Sequence, residues 1–163
     1  WTRGLYQHPE RQPGLGDIAE SRYHIGHDIY SFGVCLLEIG LWKSFLQRDA
    51  ANNSYTLSPV LATVRADWIA RNAVASATMN SAQIDQQVFI QLAGTRLAYE
   101  MGEAYSKMVI KCLSCLENGF GNVLMFVGSD SHDWDKQGVL FIQEIRRELA
   151  NACVMGVGIY NSL

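Results

Sequence analysis

Between His27 and Trp42 the apolar residues Ile29, Tyr30, Phe32, Val34, Leu36, Leu37, Ile39, Leu41 and Trp42 fall on nearly every side of a helical wheel. A helix apolar all round belongs inside protein or lipid. This stretch is too short to span a bilayer, and Asp28 and Glu38 interrupt it. The pattern therefore predicts a central helix over 27–42, buried on all sides by protein. Asp28 stands where an N-cap acceptor would satisfy the first free backbone N–H groups. Gly33 lets a neighbouring segment come close.

Around this helix the pattern is looser. Residues 1–26 are rich in Gly, Pro and polar groups and read as loop, with Pro9 and Pro13 fixing φ and removing backbone donors. Residues 43–58 turn polar, with a loop tip at Asn52-Asn53-Ser54. Ser58-Pro59 is a helix-start signal, the serine as N-cap and the proline at the first helical position. The helix it opens, over 59–75, puts Val60, Leu61, Val64, Trp68 and Ile69 near one face. A small, polar connector follows at 76–82. From Gln83 an apolar stripe runs through Ile84, Val88, Leu92, Leu97 and Met101, with breaks at Gly94 and Gly102.

A further helix over 103–116 carries Tyr105, Val109, Cys112, Leu113 and Leu116 at helical spacing. Residues 117–138 read as a long loop, within which Val123–Val127 suits a short strand and a buried crossing equally well. The last helix, over 139–152, points Leu140, Phe141, Ile145 and Leu149 inward and Glu144, Arg146, Arg147 and Glu148 outward. The expected architecture is one mainly α domain, 59–116 supplying most of the helices around the central one.

Composition narrows the class. Of 163 residues, 48% are hydrophobic and 18% charged, which suits a core-forming chain. A net charge of −3 gives no basic field for nucleic acid and no signature of an anionic membrane surface. Four cysteines without a regular framework point to a reducing compartment, and no signal-peptide pattern opens the chain, so the expected location is cytoplasmic. The start at Trp1, without methionine, suggests a piece of something longer.

Two motifs carry a resemblance. Asp28-Ile29-Tyr30-Ser31-Phe32-Gly33-Val34, with Leu36-Leu37-Glu38 after it, resembles the D-x-W-S-x-G-V-x-L-x-E helix at the centre of the protein-kinase C-lobe. Upstream, Tyr6-Gln7-His8-Pro9-Glu10 resembles the Y-x-A-P-E that closes a kinase activation segment. Their order and separation suit the family, and the variant forms look most like kinase-like domains common in filamentous fungi. The resemblance implies a partial C-lobe in which 1–26 ends the activation segment. Its structural motif residues would be Tyr6, Pro9, Glu10, Asp28, Ser31, Gly33 and Glu38, and Asp28 would hold the backbone of an upstream catalytic loop. Thr2 and Arg3 would face a peptide substrate, with Arg3 where the family usually carries threonine.

The resemblance is thin beyond Trp42. Lys111-Cys112-Leu113 looks like the k-C-L of a later kinase helix, but the stretch after it, Ser114-Cys115-Leu116-Glu117-Asn118-Gly119, lacks the arginine that would pair with Glu10. Arg96, Arg146 and Arg147 are the expected alternatives. No G-x-G-x-x-G, V-A-I-K, H-R-D or D-F-G occurs in the chain, so no catalytic residue is assigned, and ATP and Mg²⁺ would belong to upstream kinase segments. The expected function is the structural, substrate-facing part of a Ser/Thr-type kinase domain, whose partners are those upstream segments and a protein substrate. The alternative is a pseudokinase or regulatory helical module that engages a regulatory partner. Helix surface left uncovered in such a piece favours association.

No metal site is assigned from the sequence. Cys112-x-x-Cys115 with His24-x-x-His27 has metal-like spacing, but both cysteines fall in an apolar helical stripe where cysteine acts as a small hydrophobe. The acidic run Asp130–Asp135 lacks the glycine and closing glutamate of a Ca²⁺ loop.

Overall fold

The computed structural model of the protein describes residues 4–12, 23, 25–116, 139–148 and 150. Thr2, Arg3, Pro13, His24, Leu149, the loop at 117–138 with Val123–Val127 and Asp130–Asp135, and positions 151–152 lie outside the described residues. Two 3-10 turns, Gly4–Tyr6 and Pro9–Arg11, precede helix α1 (Ile25–Leu41). Strands β1 (Leu46–Asp49) and β2 (Ser54–Leu57) follow, then α2 (Pro59–Arg71), α3 (Ala73–Ser76) and α4 (Ser81–Leu92). A π-helical turn over Ala93–Leu97 leads into α5 (Ala98–Met101) and α6 (Glu103–Leu113), and 139–148 form α7. The protein is mainly α. No helix among the described residues is long and apolar enough to cross a membrane.

The core is built where α1 meets α6. Val34 and Leu37 of α1 are buried among Phe89, Leu97, Met108, Val109, Cys112 and Leu113. Gly33 allows this approach, because a Cβ there would stand 2.7 Å from the Cys112 Cβ. Buried polar groups are matched across this seam and between α4 and α6. The Tyr105 hydroxyl donates to the Leu36 carbonyl at 3.0 Å, and the Gln86 amide donates to the Leu113 carbonyl at 2.8 Å. Such bonds spare buried carbonyls the cost of lost hydration.

The helix starts follow their local chemistry. Ser58 caps α2 by accepting the Leu61 N–H, with Pro59 at the first position, as the sequence implies. Asn80 and Gln83 form a reciprocal capping box that starts α4 two positions before the expected Gln83. The expected breaks fall in place: Gly94 lies in the π-helical turn, and Gly102, at φ 84°, separates α5 from α6. The Ser106 hydroxyl donates to the Ala93 carbonyl at 2.6 Å, satisfying a group where the π-helical turn begins. Between α2 and α4, the Arg65 Nε donates to Asp85 at 2.6 Å. Burial nonetheless raises the Asp85 pKa, an effect Arg65 only partly offsets.

Several expectations are corrected. Helix α1 begins at Ile25, so Asp28 sits in its first turn rather than at the N-cap, and it is exposed. Burial on all sides fails as well. Phe32, Ile39 and Trp42 are 46%, 58% and 85% exposed, and with Asp28 and exposed Cys35 they form one stripe at alternating spacings of four and three. The reason is one-sided packing, since α6, the π-helical turn and the first 3-10 turn all meet the other flanks of α1. Leu140, expected inward, is 45% exposed, while Phe141 and Ile145, one turn apart, are buried as expected. Glu148, expected outward, reaches back to pair with Lys111 on α6.

The polar stretch after α1 is a hairpin rather than a plain loop. β1 and β2 pair antiparallel with Leu46 opposite Leu57 and Asp49 opposite Ser54. Its tip includes Asn52 and Asn53, the latter at φ 47°, a left-handed conformation that asparagine tolerates well. Ser54, expected in the tip, is the first residue of β2. Phe45, at the base, stacks on Phe89 with ring centroids 5.1 Å apart and fastens the hairpin to α4.

Candidate functional site

The first two 3-10 turns lie against α1, and a small set of polar side chains fixes them there. Leu5 is buried. Ser31, on the half-buried flank of α1, donates to the Tyr6 carbonyl at 2.7 Å and also lies 3.0 Å from the His27 carbonyl. The Tyr6 hydroxyl donates to Glu38 at 2.9 Å, and burial together with that carboxylate pushes its pKa up. Glu38 accepts two more bonds, from the Phe45 N–H at 2.6 Å and the Ser44 hydroxyl at 3.3 Å. One carboxylate therefore ties the first turn, α1 and the base of the hairpin together.

A second cluster lies beside it. Pro9 is buried and opens its 3-10 turn, where a missing N–H costs nothing. His8 caps that turn, its Nδ1 accepting the Glu10 N–H at 3.3 Å. The half-exposed Glu10 carboxylate stands 3.8 Å from His8 Nδ1 and 3.7 Å from Nε2 of His27 on α1. Both histidines are buried, and the His8 ring meets Tyr30 edge-on with centroids 5.1 Å apart. The expected arginine partner of Glu10 is thus replaced by two imidazoles. Arg147 pairs with Glu144 at 2.6 Å, Arg146 lines a cavity beside α1, and Arg96 stands near Lys43.

Five of the seven expected motif residues, Tyr6, Pro9, Glu10, Ser31 and Glu38, therefore belong to one interlock between the early turns and α1. Gly33 serves the opposite side, toward α6. Asp28 stands apart. It accepts a hydrogen bond from the Tyr23 hydroxyl, whose pKa that bond raises, and with Arg146 it flanks an apolar cavity of about 320 Å³ between α1 and α7.

The cysteines behave as packing groups. Burial pushes the Cys112 thiol well above its ordinary pKa, which disfavours the thiolate a metal would need. Cys115 donates to the Gly26 carbonyl at 3.3 Å. What the sequence reading missed is the meeting of His8, Glu10 and His27, whose ligand atoms all lie within 4.8 Å of one another. No spacing rule brings them together, because the contact depends on how the turn docks on the helix.

Set against protein-family models, curated proteins and solved structures, the chain matches none of them.

Proposed function

We propose that this chain is the structural, substrate-facing part of the C-lobe of a Ser/Thr-type protein-kinase-like domain, without catalytic residues of its own. The observation that carries the reading is the interlock, in which Ser31 and Glu38 of one motif hold Tyr6 of the other. Residues chosen from two separate motifs thus meet in space, which supports reading the two motifs together. The exposed stripe of α1 adds support. Asp28, Phe32, Cys35, Ile39 and Trp42 offer a carboxylate followed by apolar groups, a surface suited to an upstream helix and catalytic loop. In this reading ATP and Mg²⁺ bind the upstream segments, and a peptide substrate passes near Thr2 and Arg3.

The test compares this chain with the same chain extended upstream along its natural reading frame. Maleimide labelling mapped to Cys35, which is exposed on the stripe, reports whether the stripe becomes covered. Mg·ATP binding and phosphate transfer are measured in parallel. This chain alone is expected to label at Cys35, slowly for an exposed thiol because partial burial and Glu38 raise its pKa, and to show no response to nucleotide. The extended protein is expected to protect Cys35 and to transfer phosphate. Protection without transfer assigns the domain to the pseudokinase or regulatory class. Labelling of the extended protein at the same rate as this chain, with no nucleotide response, overturns the reading.

A further inference from the structure

We infer that His8, Glu10 and His27 form a binding site for one divalent transition-metal ion of the zinc type. The inference does not depend on the kinase-like reading. Two imidazoles and one carboxylate form a donor set that suits zinc with one position left to water, whereas Mg²⁺ and Ca²⁺ call for oxygen ligands. Around a tetrahedral ion with bonds of roughly 2.1 Å, ligand atoms stand about 3.4 Å apart. The observed Glu10 Oε2 distances, 3.8 Å to His8 Nδ1 and 3.7 Å to His27 Nε2, are close to that spacing. All three ligand atoms lie within 4.8 Å of one another.

The remaining contraction falls on the right residue. Glu10 is half exposed on a flexible side chain, while the histidines are buried and fixed by neighbouring rings. His8 Nδ1 already accepts the Glu10 N–H, so it presents a lone pair rather than a proton. That bond is long at 3.3 Å, and a metal bond replaces it at little cost. The exposed carboxylate provides the entrance from solvent. Bound metal would clamp the Pro9–Arg11 turn onto the start of α1.

The experiment uses the whole chain, stripped with chelator and titrated with Zn²⁺ alone, and with Co²⁺ for its visible absorption. One equivalent is expected to bind, raise Tm and give the spectrum of nitrogen and oxygen ligation. Glu10→Gln is expected to weaken binding by at least about tenfold and to leave the protein folded without metal. His27→Asn is expected to abolish binding, and where that variant fails to fold, Glu10→Gln decides. The double variant Cys112→Ser, Cys115→Ser is expected to bind Zn²⁺ as the parent does. The site is overturned by no Tm shift at a roughly hundredfold excess of Zn²⁺, by binding indifferent to Glu10→Gln, or by a thiolate spectrum lost with the cysteines.

Discussion

The two sides of α1 are made of similar residues, yet one is a finished core and the other is largely exposed. Toward α6, Val34 and Leu37 are fully buried, Gly33 admits the partner backbone, and Tyr105 closes a carbonyl of α1. On the far side Phe32, Ile39 and Trp42 carry as much apolar surface and bury far less of it. Apolar character alone thus does not set burial, and the packed side contributes most of what α1 gives to the stability of this chain. The difference separates residues that hold the fold from residues that leave apolar surface in solvent.

The contrast is sharpest for two residues on the same helix. Leu37→Ala removes a fully buried side chain and leaves a cavity, so it is expected to cost about 3 kcal/mol. Ile39→Ala, on the stripe, is expected to stay within about 0.5 kcal/mol of the parent. Urea unfolding of both variants measures the pair, and equal losses would erase the distinction. Gly33→Ala is the next largest. Helix propensity alone favours alanine by about 1 kcal/mol. The new Cβ, however, would stand 2.7 Å from that of Cys112 and 3.3 Å from the Leu113 N. Neither of those atoms is the end of a flexible side chain, so overpacking should win, for a net loss of about 2 kcal/mol.

Those two packed positions were also the most legible in the sequence. The apolar run with Gly33 implies a close contact with a neighbouring segment, but nothing in the pattern names α6 as that segment. The stripe was misjudged for a related reason, since a run of apolar residues says that a surface wants cover and not what supplies it. The hairpin was hidden because Leu46–Asp49 and Ser54–Leu57 do not alternate cleanly, and its attachment rests on Phe45 lying outside both strands. Of the candidate site, Tyr6, Ser31 and Glu38 were named from the motifs, while the pairing of Glu10 with imidazoles was not. That pairing depends on the angle at which the turn docks, which local patterns do not encode.

Tyr6→Phe tests the interlock on the packed side. It deletes one hydrogen bond to Glu38, which keeps the Phe45 N–H and the Ser44 hydroxyl as donors. The expected loss is about 1 kcal/mol, with the helix content unchanged by circular dichroism. A loss of several kcal/mol would mean that the turn, rather than the α1–α6 seam, organises the fold.

Trp42 gives the smallest effect, and its sign is the informative part. It lies just past the end of α1 at φ 51°, where the Lys43 N–H bonds the Glu38 carbonyl and the Trp42 N–H bonds that of Ile39, an arrangement that favours glycine. A large side chain held in the left-handed region costs about 1 kcal/mol, and at 85% exposure the indole recovers little of that by burial. Trp42→Gly is therefore expected to stabilise the chain, by somewhat under 1 kcal/mol once the greater freedom of glycine in the unfolded state is counted. In the upstream-extended protein the same substitution should lose stability, because there the indole would have a surface to pack against. A stabilised extended variant would place Trp42 outside any covered face and count against the proposed cover of the stripe.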